Sequence, residues 1–134
     1  MNIDEIIEQY TIESSIDTNI DRLNVTEVQE KLVNNKHKWS ARLINHKIKL
    51  NKYRNQRFTI LEEKIEEYQN TQPVMVNKSI AEKAVSKKKD IRVIDNKIEN
   101  ELLIIQHVEN IYKNISFATN DIKNLVELMK LEMQ

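Results

Sequence analysis

The 134-residue sequence contains no glycine and one proline, Pro73. Glycine supplies the positive-φ positions of tight turns and β-bulges, and proline presets turn geometry. A chain nearly without either has few places to reverse direction. Strand signals are also weak, with only six Phe or Tyr and few alternating runs, while charged residues make up 31% and recur at helical spacing. The expected fold is all-α, built from long helices with very few connections.

Composition excludes several chemistries. Without glycine there is neither a Walker loop nor a dinucleotide fingerprint, so no ATP or NAD site is expected. Without cysteine there is no disulfide, thiolate metal site or cysteine nucleophile. The acidic start "MNIDEIIEQY" lacks the apolar stretch of a secretory signal. No apolar run approaches the ~20 residues of a membrane-spanning helix. A soluble, intracellular protein without membrane contact is expected.

The apolar spacing lays out the helices. Ile3, Ile6, Ile7 and Tyr10 mark a short amphipathic helix over 3–10, followed by "TIESSIDTNIDRLN" (11–24), whose turn formers predict a loop. Thr26 and Gln29 read as a capping box. Val28, Leu32, Trp39, Leu43, Leu50, Tyr53, Ile60 or Leu61, Ile65 and Tyr68 then recur in steps of three, four and seven, predicting one long helix to about Tyr68. Pro73 breaks the chain within 70–78. Ser79 and Glu82 suggest a second cap, followed by a second long helix along Val85, Ile91, Ile94, Ile98, Leu102, Ile105, Val108, Tyr112 and Ile115. A bend or restart is expected near 116–121. The last helix is apolar on more than one side, through Ile122, Leu125, Val126, Leu128, Met129, Leu131 and Met133, and should be covered by something. The reading is a long antiparallel helical hairpin over 26–115, an acidic N-terminal helix and loop over 1–25, and a C-terminal helix over 116–134 that assembles a homo-oligomer.

Formal charge sums to zero but is banded. Residues 1–35 hold eight acids against Arg22 and Lys31, residues 36–58 hold eight bases and no acid, and residues 59–134 hold thirteen acids and eleven bases. On a helix, Lys38, Arg42, Lys49 and Lys52 share one narrow sector, and Lys36, Lys47 and Arg54 lie across the apolar stripe. Such a surface can track phosphates, with Trp39, Tyr53 or Phe58 offering a plane to unpaired bases. The competing interpretation is a solvated face that pairs with the acidic first 35 residues, and Trp39, on the apolar stripe, fits a core position. "SKKKDIR" (86–92) is a second, exposed basic patch. No catalytic or metal-binding constellation is expected. His37, His46 and His107 lack partners at ligand spacing, and His46, on the apolar stripe, suits a satisfied interfacial histidine. The glutamates at 62, 63, 66 and 67 suit a solvated face.

Several short stretches carry a resemblance: "IDRLN" (20–24), "KHKW" (36–39), the spacing from Trp39 to Tyr68, "KAVSKKKDIRVIDNKIE" (83–99) and "IYKNISFATNDIKNLVELMKL" (111–131). In order and spacing the chain resembles the UvsY recombination mediator family of T4-like bacteriophages. The 83–99 stretch is similar to the family's Val-Leu-Ser-Ala-Asp-Lys-Asp-Val-Leu-Lys-Val-Asp, and the C-terminal one to its Phe-Ala-Ile-Lys-His-Ile-Gln-Asp-Met. The resemblance implies a non-enzymatic factor, without cofactor, in the cytoplasm of the infected host. It implies binding to single-stranded DNA and help to a RecA-like recombinase in displacing the single-stranded-DNA-binding protein. It further implies a closed ring of identical subunits assembled through the C-terminal region. Two departures stand out. The family's DNA-binding Leu-Lys-Ala-Arg-Leu is here Leu61-Glu62-Glu63-Lys64-Ile65, which either moves the DNA contact toward 36–57 or weakens it. Its arginine and glycine before the C-terminal phenylalanine are Ile115 and Ser116.

The expected nucleic-acid-binding residues are therefore Lys38, Trp39, Arg42, Lys47, Lys49, Lys52, Tyr53, Arg54, Arg57 and Lys64. Assembly is expected through Ile122, Leu125, Val126, Leu128, Met129 and Leu131. The alternative is a coiled-coil adaptor that binds only protein.

Overall fold

In the computed structural model, which describes residues 2–19 and 25–133, the chain forms four helices: α1 (Ile3–Asp17), α2 (Val25–Thr71), α3 (Lys78–Val85) and α4 (Lys89–Glu132). No strand occurs among the described residues, so the all-α expectation holds. The stretch "IDRLN" lies outside the described residues.

Local chemistry sets the starts of α1 and α3. Asn2 caps α1 by accepting from the Glu5 N–H at 2.9 Å, while the Glu5 carboxylate accepts from the Asn2 N–H at 3.3 Å. Contrary to the expected loop, α1 continues through residues 11–17. Its turn formers fold onto their own helix instead: Thr11 donates to Ile7 O at 2.7 Å, Ser14 to Thr11 O at 3.1 Å and Ser15 to Ile12 O at 2.8 Å. Thr26 already lies inside α2, which begins at Val25. The α3 cap is Asn77 rather than Ser79, its side chain accepting from the Ile80 N–H at 2.9 Å.

The second long helix is broken at 86–88, where the sequence predicts continuity. Val85 and Ile91 are both fully buried in one cluster. In an unbroken helix six residues amount to about 240°, which would point them to different faces. The break re-phases the chain so that both reach the same core. Across 116–121, where a bend or restart is expected, the helix does not restart. Ser116 and Thr119 donate back to Tyr112 O and Ile115 O at 3.0 and 2.8 Å, and α4 runs on.

The chain divides into two compact units: Met1–His46 with Ile104–Gln134, and Lys47–Leu103. The first packs α1, the beginning of α2 and the end of α4 around Val28, Leu32, Trp39, Ile104, Val108, Ile111, Ile115, Ala118 and Ile122. Here α1 runs antiparallel to α2, since Tyr10 meets His46, Glu13 meets Arg42 and Asp17 meets Lys38.

The second unit packs the rest of α2 against α3 and the beginning of α4. Leu61, Ile65, Ala81, Val85 and Ile91 form its cluster. The ion pairs Lys49–Glu101, Arg57–Asp95 and Lys64–Asp90 give an antiparallel register for α2 and α4 within this unit. The α4 stripe departs from expectation at one point. Ile94, Glu101 and Ile105 are buried, whereas Leu102 is 41% exposed. The inward positions thus pass through a glutamate where the sequence favours its apolar neighbour.

Candidate nucleic-acid interface

The basic segment of α2 divides between the two units, and its two halves have different surroundings. In the first unit α1 lies along it. The Glu13 carboxylate reaches Lys38 Nζ at 2.9 Å and Arg42 Nη1 at 2.7 Å. Asp17, buried at the end of α1, accepts from Lys38 Nζ at 2.6 Å and from the indole N–H of Trp39 at 2.9 Å. The Arg42 guanidinium, which donates to Glu13 and thereby contributes most to holding that carboxyl below its ordinary range, also lies 4.6 Å from the Trp39 ring centroid. Desolvation alone would lower the Lys38 pKa, but the carboxylates of Asp17 and Glu13 outweigh it and hold the ammonium above its ordinary range.

Lys38, Trp39 and Arg42, three of the expected strand-contacting residues, are thus all engaged within the first unit. Trp39 is fully buried, edge-to-face with Tyr10 at 5.3 Å, and has no open face for a base. Lys38 and Arg42 already hold anions supplied by the chain itself. His46 is satisfied, its Nε2 lying 3.0 Å from the Tyr10 hydroxyl.

In the second unit the remaining bases are graded by pairing. Arg57 meets Asp95 at 2.5 Å, and Lys64 lies between Glu67 and Asp90 at 3.8 and 3.5 Å. Glu62, the acid at the position of a family lysine, is matched by Lys78 at 3.2 Å. Lys49 is half exposed and sits 3.4 Å from the buried Glu101. Desolvation would lower the Lys49 pKa, and the Glu101 carboxylate and Tyr53 together outweigh it and raise it. Lys47 is exposed. Lys52 and Arg54 are exposed and form no ion pair among the described residues.

Tyr53 is half-buried and has two cations at its ring, Lys49 Nζ at 6.0 Å and Lys97 Nζ at 5.9 Å from the centroid. Lys97, on α4, lies outside the basic segment from which the expected contacts are drawn. Its signal is present only in the register, because the pairs on either side place it opposite Tyr53.

Of the expected assembly residues, Ile122 is buried in the first unit's own core and Val126 packs against it, so neither presents a free apolar face. Leu125 is half-buried, while Leu128, Met129 and Leu131 are exposed. No group of three or more His, Asp or Glu side chains that could hold a metal ion occurs among the described residues, and no helix there is long and apolar enough to cross a membrane.

The architecture is a known all-α type. It is shared with the recombination mediator protein UvsY of bacteriophage T4. One crystal form of that protein matches with a TM-score of 0.78 at 16% identity, covering 94% of this chain and 98% of that one. A second form gives a TM-score of 0.78, again at 16% identity, over 95% and 97%. At this identity the correspondence is one of fold. No protein-family model and no curated protein sequence matches the chain.

Proposed function

We propose that this protein is a non-enzymatic recombination mediator. It binds single-stranded DNA and helps load a RecA-like recombinase onto strands coated with single-stranded-DNA-binding protein. The observation that carries this reading is the near full-length correspondence of fold with the T4 recombination mediator. A basic α2 surface on which Lys52 and Arg54 form no ion pair among the described residues supports it.

In this reading the strand contact lies on Lys47, Lys49, Lys52, Tyr53 and Arg54, with Arg57 and Lys64 at its margin. Trp39 supports the core, and Lys38 and Arg42 stay with α1. Several copies form a closed ring through the exposed Leu128, Met129 and Leu131, together with Leu125. One strand then meets many weak sites, and avidity does what a single site does not.

A second reading, a helical adaptor that binds only protein, is favoured by one observation: Lys38, Arg42, Lys49, Arg57 and Lys64 all have internal carboxylate partners. Binding of a fluorescent ~30-nucleotide single strand across a salt series, with a duplex control, separates the two. The mediator reading expects single-strand preference and a steep loss of affinity with salt. Reversing Lys52 and Arg54 to Glu should abolish that binding with melting unchanged within about 0.5 kcal/mol, since both are exposed. No binding at low salt would leave the adaptor reading in its place.

A further inference from the structure

The two ammonium groups at Tyr53 come from different helices, Lys49 from α2 and Lys97 from α4, yet they sit at the same ring. Like charges gathered at one place repel unless each has a counter-charge. Lys49 has one in Glu101, 3.4 Å away and almost completely buried. Lys97 has none: it is exposed, and apart from the ring it forms no ion pair among the described residues. The ring's electron-rich face is a weak substitute for an anion. Lys52 and Arg54 flank Tyr53 about 100° to either side along α2, both without a carboxylate partner among the described residues.

We infer that Lys97 of α4 and Lys49 and Tyr53 of α2 form one nucleotide seat, which rests on the single-strand-binding reading above. A backbone phosphate takes the place of the ring as the partner of the Lys97 ammonium. The Tyr53 face that Lys97 vacates receives the adjoining unpaired base. Glu101 keeps Lys49 beside the ring, so the seat exists before the strand arrives. The ligand class is a single-stranded polynucleotide; a duplex keeps its bases stacked inside and has none to offer the ring. The seat lies away from Leu61–Ile65, where the family resemblance places its DNA-binding motif, and it uses a helix that the basic-segment reading leaves out.

The test compares the full-length protein with Lys97→Gln, Tyr53→Ala, Tyr53→Phe and the exposed control Lys83→Gln, using a fluorescent ~30-nucleotide single strand over a salt series. Lys97→Gln is expected to reduce the slope of log K against log salt by about 0.7 for each subunit contacted. Tyr53→Ala is expected to weaken binding roughly 5- to 150-fold, the range for loss of one aromatic stacking partner. Tyr53→Phe, which keeps the ring, and Lys83→Gln should bind nearly as the parent does. Parent-like affinity and slope in Lys97→Gln would overturn the inference while leaving the single-strand reading intact, and so would an equal loss in Lys83→Gln. Failure of the unmodified protein to bind a single strand would remove both. Lys97 is exposed, so its variant carries the test even if Tyr53→Ala fails to fold.

Discussion

The Glu101 carboxylate lies 3.4 Å from the Lys49 ammonium, at an inward position of α4 between the buried Ile94 and Ile105. The pair is asymmetric, since Lys49 is half in solvent and Glu101 is not. Breaking it from the two sides therefore has different consequences. Lys49→Met takes the ammonium from a buried carboxylate and should cost about 1–3 kcal/mol. Glu101→Leu puts an apolar side chain on an inward face and releases Lys49 to water, and should be near neutral or stabilising. Urea unfolding of the two variants measures both, and an equal loss in the two would contradict this asymmetry.

Asp17 joins α1 to the core through the Trp39 indole. Replacing it by Ala leaves a buried N–H without its acceptor and the Lys38 ammonium without one of its two carboxylates, for a loss of about 1–3 kcal/mol. Trp39 is the only tryptophan, so its fluorescence reports on the core of the first unit, against which α1 packs. In Asp17→Ala the emission should shift to the red and acrylamide should quench it more readily. Unchanged quenching would mean that the apolar contacts of Ile3, Ile6 and Tyr10 hold α1 without the polar clasp.

The same clasp sets a pH window. Glu13 has a folded pKa below the 4.5 of the free side chain, chiefly because Arg42 donates to it. Its contribution is therefore present above that value and is lost as pH falls through the lower, folded pKa. Lys38 is raised above 10.5; desolvation opposes this, but Asp17 and Glu13 outweigh it. Its contribution is complete below 10.5 and is lost as pH rises through the higher, folded pKa. Melting temperature should be level at neutral pH and fall at both extremes. Glu13→Gln should flatten the acid limb.

At the C-terminus, burial separates the residues that serve folding from those of the proposed assembly. Ile122→Ala opens a cavity in the first unit and should cost about 2–5 kcal/mol. Leu128→Asp with Met129→Asp changes only exposed positions and should leave helicity unaltered while reducing the proposed ring to smaller species in sedimentation velocity. A parent-like sedimentation coefficient would count against assembly through this face.

Much of this protein is legible without coordinates. The absence of glycine and the three-four spacing of apolar residues require long helices. Val28, Leu32, Trp39, Leu61 and Ile65 are inside because burying one stripe is what stabilises an amphipathic helix. The band of bases on α2 is equally visible, because charge is a property of sequence. Which of those bases remain available is decided by the tertiary structure alone. Pairing depends on what another helix brings within about 4 Å, and one residue of register turns a side chain by about 100°. Docking of α1 occupies Lys38 and Arg42, and the register of α4 sets Glu101 beside Lys49 and Lys97 beside Tyr53. Local propensity contains no information about either neighbour. It favours a loop at residues 11–17 and Leu102 as the inward residue, and long-range contacts reverse both.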